Sequence, residues 1–141
     1  GVSGIVSEDQ VVLKTINNNS LDDINSGFGI KLILPTYSSI NSNTLRADVA
    51  ATTNDGISLT SSSENVIVGN NITSFDDDGI DLVSTGGRSN VISGNCIEVV
   101  GKYAVDVRGT ATTVVGNVFR GFGTATRDGG TLSVIASNGT A

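Results

Sequence analysis

The heptapeptide DDDGIDL, residues 76–82, sets Asp76, Asp77, Asp78 and Asp81 around one glycine and two large aliphatics. Carboxylates this close can do two kinds of chemistry. Repulsion between them raises one pKa and makes a proton carrier, or their hard oxygens gather a calcium ion. A third reading needs no chemistry: Asp76 to Asp78 form a solvated polar turn, with Gly79 relieving backbone strain where a strand begins. The turn is the first expectation and the site the second. Successive aspartates in a tight turn point in different directions, and neither the EF-hand spacing nor the nonapeptide calcium repeat occurs.

The elements that must position these acids are bounded first by composition. The chain has 141 residues, the size of one domain with room for a real core. Its formal charge of -6 offers no basic stripe for a phosphate backbone, so nucleic acid is not an expected partner. There is no histidine, which excludes serine-protease-like, zincin and other histidine-based chemistry. The single cysteine, Cys96, gives no disulfide framework. No run of about 18 apolar residues is present, so membrane insertion is not expected. Abundant Gly, Asn, Ser, Thr and Val point to short strands and many turns.

Those strands recur. GIKL (29–32), GISL (56–59), GIDL (79–82), AVDV (104–107) and TLSV (131–134) align on Ile30, Ile57, Ile80, Val105 and Leu132, with steps of 27, 23, 25 and 27 residues. A second segment recurs in NVIVGNNI, NVISGNCI and TTVVGNVF. Around Asn70, Asn95 and Asn117 an aliphatic stands three residues before (Ile67, Ile92, Val114) and an apolar residue two after (Ile72, Ile97, Phe119). The template extends more weakly to Ile16, Asn19 and Leu21, and to Leu45, Asp48 and Ala50. A repeat this short cannot bury its own apolar face, so neighbours must stack on a shared core. Stacking about 4.8 Å apart would set Asn19, Asp48, Asn70, Asn95 and Asn117 in one structural corner column. Cys96 follows Asn95 and is expected to be an ordinary strand residue.

The stretch 65–107 resembles the right-handed parallel β-helix of the pectin-lyase-like superfamily, which includes bacteriophage tailspikes. The resemblance covers roughly residues 16–135. It implies an all-β right-handed parallel β-helix of about 4–5 coils over residues 16–141, with residues 1–15 as an N-terminal capping or linking strand segment. DDDGID is similar to the Asn-Thr-Asp-Gly-Ile-Asp segment of polygalacturonases, which implies a catalytic role for Asp78. The chain departs from that family one coil later, where Lys102 and Tyr103 replace its paired aspartates, and it has no Gly-His-Gly. The Asp-Pro-His-Glu motif of alginate epimerases is also absent.

Strand alternation turns Ile57 with Leu59, Ile80 with Leu82, and Val105 with Val107 inward. Lys31, Ser58, Asp81 and Asp106 then stack on the outer face, with Arg108 two positions beyond Asp106. Asp78, Asp81, Asp106 and Arg108 are therefore the candidate catalytic set for general acid/base work on a sugar. Lys102 and Arg88 are candidate lyase-type bases and, with Tyr103, candidate substrate contacts. Asp76 and Asp77 are candidate calcium ligands, although no cofactor is required. Tyr37, Phe75, Tyr103 and Phe122 are the aromatics expected to be free to stack on sugar rings, with Phe119 in the core.

No C-terminal cap is recognisable, which suggests a fragment of a longer β-helix or self-association, as in a homotrimer. The leading expectation is a virion tailspike or fibre module, extracellular or on the virion, that binds and perhaps cleaves bacterial surface polysaccharide. A fragment of a secreted polysaccharide lyase, hydrolase or epimerase is the first alternative. A non-catalytic structural or adhesive solenoid is the second.

Overall fold

The computed structural model describes residues 4–131 and 133–140, the side chains of residues 8–12, 49–51 and 99 excepted. Its described elements are all strands, and equivalent strands of successive coils pair in parallel. Each coil contributes to three ladders. The first holds Thr15–Asn17, Ser39–Asn41, Val66–Val68, Val91–Ser93, Thr113–Val115 and Val134–Ala136, six strands and so five turns of a solenoid. The second places Leu21, Leu45, Ile72, Ile97 and Phe119 in register. The third does the same for Ile5, Ile30, Ile57, Ile80, Val105 and Thr126. The strand Cys96–Val107 runs through the second and third ladders, which joins them into one sheet. The N-terminal strand Ile5–Val12 is an outer rung of that same sheet.

The core is what the aliphatic spacing dictates. Ile40, Ile67, Ile92 and Val114 from the first ladder meet Leu45, Ile72, Ile97 and Phe119 from the second and the Ile57/Leu59, Ile80/Leu82 and Val105/Val107 pairs from the third, all fully buried or nearly so. Each such side chain contributes about 1.5–3 kcal/mol on leaving water. Phe75, expected at the surface, is only 1% exposed and packs in this core. Phe122 sits against Phe119, edge to face, with ring centroids 6.2 Å apart.

The corner between the first two ladders has a two-residue chemistry. Asn18, Ser42, Gly69, Gly94, Gly116 and Ser137 all have positive φ, between 53° and 67°, and the next residue is in every case asparagine. The left-handed residue bends the chain, a conformation that glycine adopts without steric cost. The asparagine then ties one coil to the next. Asn95 Oδ1 accepts the Asn70 backbone N–H and side-chain Nδ2–H at 2.9 Å each, while Asn95 Nδ2 donates to Ile67 O at 3.0 Å. The column is Asn19, Asn43, Asn70, Asn95, Asn117 and Asn138, so Asn43 stands where Asp48 was expected. Ile40 and Leu45, three before and two after Asn43, are the inward residues of that coil. Ala50, the other expected member, has its side chain outside the described set. A second column, Ser38, Asn65 and Asn90, follows the left-handed residues Tyr37, Glu64 and Ser89 at the opposite end of the first ladder.

Two further expectations are corrected. The last rung of the third ladder is residues 126–128, since Val105 pairs with Thr126 and Asp106 with Arg127. TLSV does not supply it: Val134 pairs with Thr113 in the first ladder, and Leu132 lies outside the described residues. Gly79 has no left-handed backbone to relieve. A Cβ there would stand 2.4 Å from Ile97 Cγ2 and 2.6 Å from Ala104 O, so close packing between coils requires the glycine.

Candidate functional site

The outer column of the third ladder is Lys31, Ser58, Asp81, Asp106 and Arg127, one residue per coil in continuous register. Over it lies a cavity of about 420 Å³. Its walls carry Asp55, Asp77, Asp78 and Asp81, the cations Lys31, Lys102, Arg108 and Arg127, and the rings of Phe28 and Tyr103. Strand alternation aims Asp81 and Asp106 away from the apolar core, yet Asp81 is 6% exposed and Asp106 is wholly buried. Asp81 therefore faces a groove rather than open solvent, and Asp106 is enclosed beneath its arginines.

Asp106 is held by two arginines. Arg127 donates Nε–H to Asp106 Oδ1 at 2.8 Å and Nη2–H to Oδ2, and its guanidinium lies 4.7 Å from the Tyr103 ring centroid. Arg108 donates Nε–H and Nη2–H to Asp106 Oδ2 at 3.0 and 2.7 Å, and Nη2 reaches Asp81 Oδ2 at 3.6 Å. Burial lowers the pKa of Arg108, but the Asp106 hydrogen bond and the charge of Asp81 outweigh it and raise the result. The Asp106 hydrogen bond likewise raises that of Arg127.

Asp81 differs. Burial, then the charge of Asp55, pushes its pKa up to about 7 against the pull of Arg108, with Asp106 and Asp78 adding to the rise. Its Oδ1 is buried without a hydrogen-bond partner. Burial also raises Asp55 to about 6, even though Asp55 Oδ1 accepts the Asp78 N–H at 3.3 Å. Asp78 is raised by burial too, while its Oδ1 accepts the Tyr103 N–H at 2.9 Å. Lys102 pairs with Asp77 at 2.7 Å, and that bond raises the lysine.

The structure brings Asp78, Asp81 and Asp106 together, with one carboxylate oxygen of each within 4.8 Å of the others, and sets Arg108 against them. Lys102 and Tyr103 line the same cavity. Arg88 does not: it is exposed and stands in the bridge column between Ser63 and Thr110. Asp76 and Asp77 part company. Asp76 Oδ2 accepts the Thr53 N–H at 2.8 Å, whereas Asp77 joins Asp55 and Asp78 in a second acidic group. Sequence reasoning missed Asp55, Arg127 and Phe28, and it did not use Lys31. A signal for Asp55 existed, because NDGISL at 54–59 repeats DDGIDL one coil earlier.

The family model described as the right handed beta helix region matches residues 1–139. The chain belongs to the right-handed β-helix family. A search of curated proteins finds no match. Among solved structures, this right-handed β-helix is similar to a single mutant of the periplasmic alginate epimerase AlgG, with TM-score 0.67 and 17% identity over 99% of this chain and 36% of that one. A double mutant of the same epimerase gives TM-score 0.63 and 16% identity at the same coverages. At these identities the likeness is one of fold, and the chain spans about a third of the epimerase's length.

Proposed function

We propose that the chain is the polysaccharide-acting part of a lyase or epimerase, and that its groove binds a glycan bearing uronate carboxylates. The observation that carries this reading is Asp81, a buried carboxyl raised to about 7 with one oxygen free, in a groove that also presents four cations. A base with a pKa near the working pH is matched to proton abstraction. Neutralising a sugar carboxylate acidifies the carbon beside it, and Arg108 and Lys102, which line the groove with Asp81, would hold such a group. Asp81 would take that proton. Loss of the neighbouring oxygen substituent, protonated by water as it leaves, then gives elimination, and delivery of a proton from water to the opposite face gives epimerisation. Asp106 is spent on its arginines and serves as their anchor.

Calcium takes six to eight oxygen ligands. Both oxygens of Asp106 are on arginines, Asp77 is on Lys102, and Asp78 Oδ1 is on the Tyr103 amide. Two groups of three carboxylates, Asp55/Asp77/Asp78 and Asp78/Asp81/Asp106, still converge there, and we read the guanidinium pair as supplying the positive charge that an ion would otherwise bring. A spike, fibre or adhesive solenoid would use the same groove for binding alone, and the free Asp81 oxygen favours chemistry over binding. A periplasmic or extracellular location accords with a polysaccharide partner.

The test is ¹H NMR in D₂O of polymannuronate and polygalacturonate, with a neutral glucan as control, reading solvent deuterium at the carbon next to the carboxylate for epimerisation and a new vinyl proton for elimination. One of the two signals is expected in a uronate polymer, falling about 10²–10⁴-fold in Asp81→Asn. Neither signal in either polymer, or an undiminished signal in the variant, would contradict the proposal.

A further inference from the structure

Asp106 carries more positive charge than it needs. One bidentate arginine satisfies a buried carboxylate, and Arg127 already does so, with Nε on Oδ1 and Nη2 on Oδ2. It is fixed from behind by the Tyr103 ring and comes from the neighbouring coil, in register with Asp106. Arg108 crowds onto Oδ2 alone and has looser alternatives, Asp81 Oδ2 at 3.6 Å and Val83 O at 3.5 Å. With Asp106 ionised, the trio has a surplus of one positive charge beside Asp81. A second guanidinium on a satisfied carboxylate adds little to the fold, but it can leave without stranding a buried charge, which would otherwise be strongly destabilising.

We propose that Arg127 is a positioning residue that holds Asp106 by itself, so that Arg108 can turn from Asp106 to a substrate carboxylate beside Asp81. The identity of that carboxylate rests on the uronate reading of the groove; the redundancy of the two arginines does not.

The redundancy is tested without ligand by a double-mutant cycle of Arg108→Gln and Arg127→Gln, followed by thermal melting at pH 5, where Asp81 keeps its proton and does not need Arg108. Each single variant should melt within about 4 °C of the parent, because the remaining arginine still neutralises Asp106. The double variant should lose far more than the sum, or fail to fold, and adding Asp106→Asn should restore it. Additive losses, or no restoration, would overturn the proposal. The release of Arg108 is tested with a mannuronate hexamer by calorimetry. In Arg127→Gln, Asp106 must claim Arg108, and affinity should fall about tenfold. Adding Asp106→Asn frees Arg108 and should return most of that affinity. If affinity stays low, Arg127 touches the sugar itself and the positioning role is wrong. If the parent binds neither this hexamer nor a galacturonate hexamer, the uronate reading falls, and the ligand-free cycle still decides the redundancy.

Discussion

Replacing Asp81 by asparagine should stabilise the protein at alkaline pH while abolishing its proton chemistry. In the folded chain Asp81 keeps its proton up to about pH 7, whereas an unfolded aspartate gives it up near 3.8. The native state thus binds more protons than the unfolded state between about pH 4 and pH 7, and stability falls as pH rises through that window. Below it both states are protonated and the residue contributes no slope. The ratio of the two acidities corresponds to an upper value of about 4 kcal/mol, fully lost above pH 7. Asparagine imitates the protonated acid. Its oxygen can face Arg108 and its NH₂ the carboxylates of Asp55 and Asp78. Urea denaturation at pH 5 and pH 8 reads the difference: the variant should gain about 2–4 kcal/mol over the parent at pH 8 and much less at pH 5. Asp55, raised to about 6, titrates in the same window, and because its charge raises Asp81 the comparison reads the coupled pair. An equal shift at both pH values, or a variant less stable at pH 8, would refute the reasoning.

Asn95→Ala should cost about 3–5 kcal/mol, because it strips the acceptor from two buried Asn70 donors and the donor from Ile67 O, at about 1–3 kcal/mol for each group left unpaired; urea denaturation checks it. Gly79→Ala should cost about 1–3 kcal/mol, since its Cβ would meet Ile97 and the Ala104 carbonyl, whereas Gly116→Ala meets no atom within 4 Å and carries only the cost of its left-handed φ; paired melting curves separate the two. Calcium in millimolar excess should leave the melting temperature unchanged, because arginines already hold Asp106 and Lys102 holds Asp77; a clear rise would show that these cations can be displaced.

The solenoid was legible because stacking repeats one demand on every coil. An aliphatic must fill the same inward place, so Ile67, Ile92 and Val114 recur at matched distances from Asn70, Asn95 and Asn117. The reading slipped where two frames satisfy that demand. Leu45 is two residues after Asn43 and three before Asp48, and only the left-handed φ of Ser42 marks the true corner. The last coil misled for the opposite reason: Thr126 occupies an inward place that lacks an aliphatic, while TLSV looks like a rung and is not one. Alternation found Asp81, Asp106 and Arg108 because outward residues of neighbouring coils must stack. It could not find Arg127, which depended on the misplaced coil. Nor could it show that outward acids would be buried, since that depends on how Tyr103, Lys102 and the arginines wall the groove.

The most direct test of the central claim is a ¹³C NMR titration of the Asp81 carboxyl, assigned by comparison with Asp81→Asn, alone and with the mannuronate hexamer. A proton-transfer groove predicts a midpoint near 7 for the free protein and a displaced midpoint when the oligomer is bound. A midpoint in the ordinary carboxylate range, unmoved by the oligomer, would contradict it.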